Sequence, residues 1–135
     1  MSALRLEIDL DKNSAKAAML VSRLGSRNIS VTRVTNVALC CPAIATTLLE
    51  AGVCGLGDSR IENIERMRAT LGAGPSMTLI RSPMLSQAEK VVRSADISFN
   101  TELIVIKQLS LVAEAMGRTH GVVPVSYTHL TLPTI

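Results

Sequence analysis

The sequence predicts an α/β protein built on a parallel sheet. Short apolar stretches begin near residues 29, 53, 77, 96 and 119, at intervals of 24, 24, 19 and 23 residues. Between them lie segments whose apolar residues recur at helical spacing. Glycine and proline punctuate the junctions. Such alternation is the pattern of βα units, in which each helix returns the chain to begin a new strand in the same direction. Roughly five units are present. A closed barrel needs eight. An open doubly wound sheet also holds five, although the G-x-G-x-x-G turn of its dinucleotide-binding form is absent. Periodicity alone leaves both open.

Leu4 to Leu10 alternates apolar and charged residues, as a half-buried strand does. Asp9 or Asp11 can cap the helix that follows, with Ala15, Ala18, Met19 and Leu24 near one face and Gly25 as its stop. Ile29–Thr35 reads as a buried strand ending at Asn36, followed by a loop with Cys40, Cys41 and Pro42. Ala43–Ala51 reads as a helix stopped by Gly52, a residue that tolerates the left-handed conformation. Strand Val53–Gly57 leads to a helix over Ser59–Leu71. Ser59 and Glu62 have capping-box spacing, and Ile61, Ile64, Met67 and Leu71 form one stripe. Strand Met77–Arg81 follows, then a helix with Ser82-Pro83 at its first turn and Leu85, Ala88, Val91 and Val92 inward. Asp96–Phe99 is a short strand. Asn100 or Thr101 caps a helix to Met116, with Leu103, Ile106, Leu109 and Val112 inward and Gly117 as its stop. Thr119–Val123 begins a further strand.

The 135 residues suit one domain, and 47% of them are hydrophobic, so a real core is possible. Aromatic residues make up 1%, which leaves aliphatic side chains and methionine to fill it. The net charge of +3 is spread along the chain. Without a dense basic run or stacking aromatics, no nucleic-acid face is expected. Cys40, Cys41 and Cys54 are odd in number and lack zinc spacing, which points to a reducing cytoplasm rather than to a disulfide framework or a metal site. No stretch reaches the ~18 apolar residues of a membrane span. The N-terminus carries acids early and is unlike a secretion signal.

Several blocks in order carry a family resemblance: EIDLDK at Glu7 to Lys12, LLEAGV at Leu48 to Val53, LGDSRIENIERMR at Leu56 to Arg68, and LIRSPM at Leu79 to Met84. With Ser98 to Leu103, they make the chain resemble, over about Leu4 to Val123, the N-terminal barrel of PLP-dependent amino-acid racemases of the alanine/ornithine racemase group. The resemblance implies a partial (β/α)8 TIM barrel, roughly its first five βα units. It also implies pyridoxal 5'-phosphate (PLP) as cofactor, a small amino acid as substrate, and a second β-rich domain or partner subunit that helps complete the site. In that family PLP is tethered by a lysine at the end of the first barrel strand. The lysine holds PLP as an imine and then moves a proton at the substrate Cα, with PLP as electron sink.

The family's VTK reads Val34-Thr35-Asn36 here. The amide of Asn36 cannot form an imine, nor act as a base near neutral pH. Cys40-Cys41 stands where small, glycine-like residues are usual. Lys12, Lys16, Lys90 and Lys107 all fall on predicted helices or their entries. The resemblance places Asn36 at the catalytic position and Asp58, Ser59, Arg60, Asn63 and Arg81 as candidate cofactor-binding residues at strand ends, where a barrel's active site lies. Arg81 could neutralise a cofactor oxygen or a substrate carboxylate. The structural alternatives are rim salt bridges for Arg60, Glu62 and Arg81, a helix cap for Ser59, and a structural histidine at His120. Residues 124–135 break the pattern. Val125 to Ile135 resembles translated adapter DNA, so residues 1–123 are expected to be a truncated barrel piece and the remainder non-native. Such a piece is expected to be inactive and to self-associate through exposed barrel edges. A non-catalytic PLP-binding or regulatory barrel and an unrelated open α/β binding module are the alternatives. Strand order discriminates the module.

Overall fold

The computed structural model describes residues 4–5, 7–35 and 41–126. Helix α1 (Leu10–Gly25) precedes strand β1 (Thr32–Val34). Then follow α2 (Pro42–Glu50), β2 (Gly55–Asp58), α3 (Ile61–Leu71) and β3 (Ser76–Leu79). A 3-10 turn at Leu85–Gln87 enters α4 (Ala88–Ser94), and β4 (Ile97–Asn100), α5 (Leu103–Ala115) and β5 (Gly121–Pro124) complete the order. The five strands form one sheet in the order β1-β2-β3-β4-β5, every pair parallel. Each helix packs on the next one along the chain. The helices therefore form one layer on one face of the sheet, the singly wound arrangement of a βα barrel. A doubly wound module, with its reversed strand order, is not what the chain adopts.

Register and burial separate the two faces of the sheet. Leu56 is opposite Met77, and Asp58 is opposite Leu79, itself opposite Ser98. These side chains, with Asn100, are almost completely buried. They meet Ile61, Ile64, Met67, Ala88, Val91, Val92, Val105 and Leu109 from the helices, and this is the core. The opposite face, with period two, carries Val34, Gly57, Thr78, Ile80, Ile97, Phe99 and Val123. Its edges are open: Val34 is 42% and Val123 39% exposed. Glycines keep this face flat at two places. A Cβ on Gly55 would lie 2.9 Å from the Ser76 carbonyl oxygen, and one on Gly57 2.8 Å from Ile80 Cδ1.

At the N-terminal end of the sheet two arginines tie the units together. Arg68 donates to the carbonyls of Ser94 (3.0 Å), Gly72 (3.1 Å) and Pro75 (2.8 Å) and pairs with Asp96 (2.9 Å). Asp96 in turn accepts from the Met77 N–H at 2.9 Å. Arg118 donates to the carbonyls of Val92 and Arg93.

Several expectations are corrected. No strand is found among the described residues of Leu4–Leu10; Leu4 is fully exposed, and Leu10 already begins α1, capped by Asp9 through Lys12 N–H. Alternation makes a strand only where another strand accepts its hydrogen bonds. The inner side of α1 is Ala17, Val21 and Leu24, while Met19 is exposed. The N-cap of α3 is Arg60, not Ser59, and its side chain makes no capping bond. Pro83 lies ahead of the 3-10 turn rather than in a helix, and Leu85 is exposed. The N-cap of α5 is Glu102, and its buried residues are Val105, Leu109 and Ala113, with Leu103 exposed. Gly52 and Gly117 do adopt positive φ after α2 and α5, as stop residues should.

Candidate functional site

The C-terminal ends of the strands meet the loops that lead into the helices. Beyond its last residue β1 adds one ladder bond, Thr35 N–H to the Gly57 carbonyl at 2.8 Å, and the chain then enters residues 36–40. Asn36 and Cys40 thus lie outside the described residues. Cys41 is the N-cap of α2 and is a free thiol, as is Cys54.

Asp58, the last residue of β2, points to the helix side of the sheet and is fully buried. One carboxylate oxygen accepts the Thr35 hydroxyl at 3.0 Å. The other accepts the Arg60 N–H at 2.9 Å and the Asn63 side-chain amide at 3.1 Å. Burying a carboxylate is costly unless donors surround it, and here three do. Asp58 thereby ties β1 to β2 and fixes the turn into α3. Thr35 is the partner that sequence reasoning did not single out; only its place beside the family's lysine position hinted at it.

Ser59, Arg60 and Arg81 come together with Glu62, Ser82 and Gln87 around a cleft of about 450 Å³. It sits between the start of α3 and the segment after β3, over the buried side chains of Ile61 and Leu79. Arg60 Nε is 4.0 Å from Glu62 Oε2, a long and exposed pair. Ser82 Oγ accepts from Thr101 N–H at 3.4 Å, and Gln87 Oε1 from Met84 N–H at 3.1 Å. Ser82 and Gln87 gave no signal in the sequence beyond their nearness to Arg81. Asn63 serves Asp58 rather than lining the cleft.

The four lysines are elsewhere. Lys12 and Lys16 lie on α1, Lys90 on α4 and Lys107 on α5, all exposed. The described strand ends hold guanidinium, carboxylate, hydroxyl and amide groups, and no amine. Among the described residues no group of three His, Cys, Asp or Glu could hold a metal ion.

A second polar cluster joins β4 to the residue just ahead of β5. His120 Nε2 is 2.9 Å from Ser98 Oγ, and Asn100 donates to both the carbonyl and the hydroxyl of Ser98. Burial lowers the His120 pKa below 6.5, against the opposing pull of the Ala95 backbone and Asp96. Ser98 and Asn100 are buried, and His120 lines the groove beside α5.

No family model matches the chain. Over 114 residues it is 35% identical to the lysine racemase of Thermotoga maritima, a match covering 84% of this chain and 32% of that protein. Over 66 residues it is 38% identical to the ornithine racemase of Acetoanaerobium sticklandii, covering 49% of this chain and 18% of that one. The chain spans about a third of the length of the first of these relatives, and the match to the second is shorter still. Among solved structures, the alanine racemase of D-cycloserine-producing Streptomyces lavendulae superposes with a TM-score of 0.70 at 20% identity, over 91% of this chain and 36% of that one. PipY of Synechococcus elongatus PCC7942, solved with PLP bound, superposes with a TM-score of 0.67 at 18% identity, over 78% and 52%. At such identities the structural likeness concerns the fold.

Proposed function

Starting from the alanine racemase-like fold that this chain carries, we propose that it is the front portion of a PLP-dependent amino-acid racemase barrel and does not catalyse by itself. The observation that carries the second half is chemical: Asn36 stands where the resemblance puts the Schiff-base lysine, and every lysine lies on a helix. PLP supplies an electron sink to enzymes that hold it. The residues of this chain do not fit a covalently tethered PLP, because no amine is present at any described strand end.

On this reading residues 1–123 carry the barrel sequence and 124–135 are non-native, with Pro124 nonetheless paired with Asn100 at the end of β5. The substrate of the complete enzyme is a small amino acid, in keeping with the lysine and ornithine racemases to which the chain is similar. Arg60 and Arg81, with Ser59, form a charged rim around the cleft at the C-terminal ends of β2 and β3. Asp58 and Asn63 hold that rim in place from beneath. Free Cys41 and Cys54 fit a reducing cytoplasm. Among the described residues no helix is long and apolar enough to cross a membrane, and no aromatic platform offers itself to nucleic acid.

The test is to incubate the chain and its Asn36→Lys variant with PLP, reduce with borohydride and map the adducts by peptide mass. Asn36→Lys should acquire an adduct at residue 36, while the parent should carry only scattered ones on helical lysines. Racemisation of alanine, lysine or ornithine by the parent chain would refute the reading.

A further inference from the structure

We propose that the cleft at the ends of β2 and β3 binds a small organic anion, bearing phosphate or carboxylate, held by Arg60 and Arg81 without a covalent bond. The inference rests on the rim role given above to these arginines and adds the ligand class.

The charged groups of the lining are Arg60, Arg81 and Glu62, a net positive set. Two guanidinium groups face one carboxylate, Glu62. The Arg60–Glu62 pair is 4.0 Å long, with side chains 69% and 55% exposed, so the planar fork of Arg60 keeps most of its donors for a ligand. Among the described residues Arg81 has no ion-pair partner. Asp58 lies beneath, but its oxygens are occupied by Thr35, Arg60 N–H and Asn63. The neutral groups add donors. Met84 N–H occupies Gln87 Oε1, which leaves the Gln87 amide its NH₂. Thr101 N–H occupies a lone pair of Ser82 Oγ and leaves its hydroxyl proton. The cleft also lies beside the N-terminal end of α3, the positive end of its helix dipole.

Size and floor narrow the class. A volume of about 450 Å³ far exceeds the ~30 Å³ share of one water, so the cleft has room for an organic body beside the charged group. Buried Ile61 and Leu79 give that body an apolar floor. The cleft also lies on the helix side of the sheet, since Leu79 and Asp58 both point there. It is therefore separate from the open face on which a barrel lumen would form.

The experiment follows backbone amide signals by NMR while the chain is titrated with glycerol 3-phosphate and, separately, with succinate. Saturable shifts are expected for Arg60–Glu62 and for Arg81–Gln87, with a dissociation constant of about 1 mM or tighter for at least one probe. Saturation by glycerol 3-phosphate alone assigns a phosphate ligand, and saturation by succinate assigns a carboxylate. Arg81→Gln and Arg60→Gln should each weaken binding at least about tenfold. Both positions are exposed, so either variant with an intact spectrum suffices. No saturation up to about 10 mM of either probe, or equal affinity in the variants, would overturn the proposal. Such a failure leaves the racemase reading standing, because that reading is decided by the adduct at residue 36. A missing adduct leaves the cleft untouched.

Discussion

His120 shows how one buried side chain links stability to pH. Its ring is held by Ser98 Oγ at 2.9 Å and its pKa is lowered, first of all by burial. Asp96 and the Ala95 backbone pull the other way, and Glu114 and Arg118 line the same groove. In the unfolded chain the imidazole titrates near its ordinary 6.5. Below that value the unfolded chain takes up a proton that the folded chain resists. The stabilising contribution is thus complete above pH 6.5 and is lost as pH falls through the lower folded value. Urea unfolding at about pH 7.5 and about pH 5.5 should show a drop in stability that is smaller in His120→Gln. An identical drop in both would remove His120 from the account. Asp58 gives the complementary lesson. Sequence alone marks it as a charged residue at a strand end, a natural ligand candidate. Its burial became legible only once Thr35 and Asn63 were seen to converge on it.

At the scale of the element, close approach between strands sets what a glycine can become. A Cβ on Gly55 would press on the Ser76 carbonyl, which is held in the β2–β3 ladder and cannot move alone. A Cβ on Gly57 would press hardest on the end of the Ile80 side chain, which can turn away, and would reach the Thr78 carbonyl only at an ordinary contact distance of 3.5 Å. Gly55→Ala is expected to cost about 1–3 kcal/mol by thermal or urea unfolding, and Gly57→Ala clearly less. The reverse ranking would show that β2 does not pair with β3 in this register. The elements that could be read from sequence share one property: their pattern and their neighbours agree. Ile61, Ile64 and Met67 form a stripe, and that stripe is buried. On α1 the apolar residues surround the helix, so spacing could not say whether Met19 or Val21 faces inward; packing against α2 decides for Val21. Leu4–Leu10 carries a strand's alternation without a neighbouring strand. Ser59 has the spacing of a cap, yet the buried Asp58 shifts the start of α3 to Arg60.

For the whole molecule, five parallel strands in chain order leave β1 and β5 each with one edge unpaired among the described residues. Exposed Val34 and Val123 lie at those edges, and among the described residues no helix covers the face between them. Unpaired ladders beside apolar surface favour association. Light scattering after size exclusion should show a mass that rises with concentration. Val34→Lys or Val123→Lys should lower it, by placing charge on the edge. A monodisperse monomer at every concentration would count against the severed-barrel reading.

The strictly consecutive strand order has one more consequence, for how the molecule is made. Every ladder joins segments roughly twenty residues apart, so no strand has to wait for a distant part of the chain. Separations of this length keep the loop-closure cost of each pairing low compared with a sheet that joins distant segments. Each strand and helix can dock on its predecessor while the ribosome is still adding the next, so a chain released early has already completed the turns it contains.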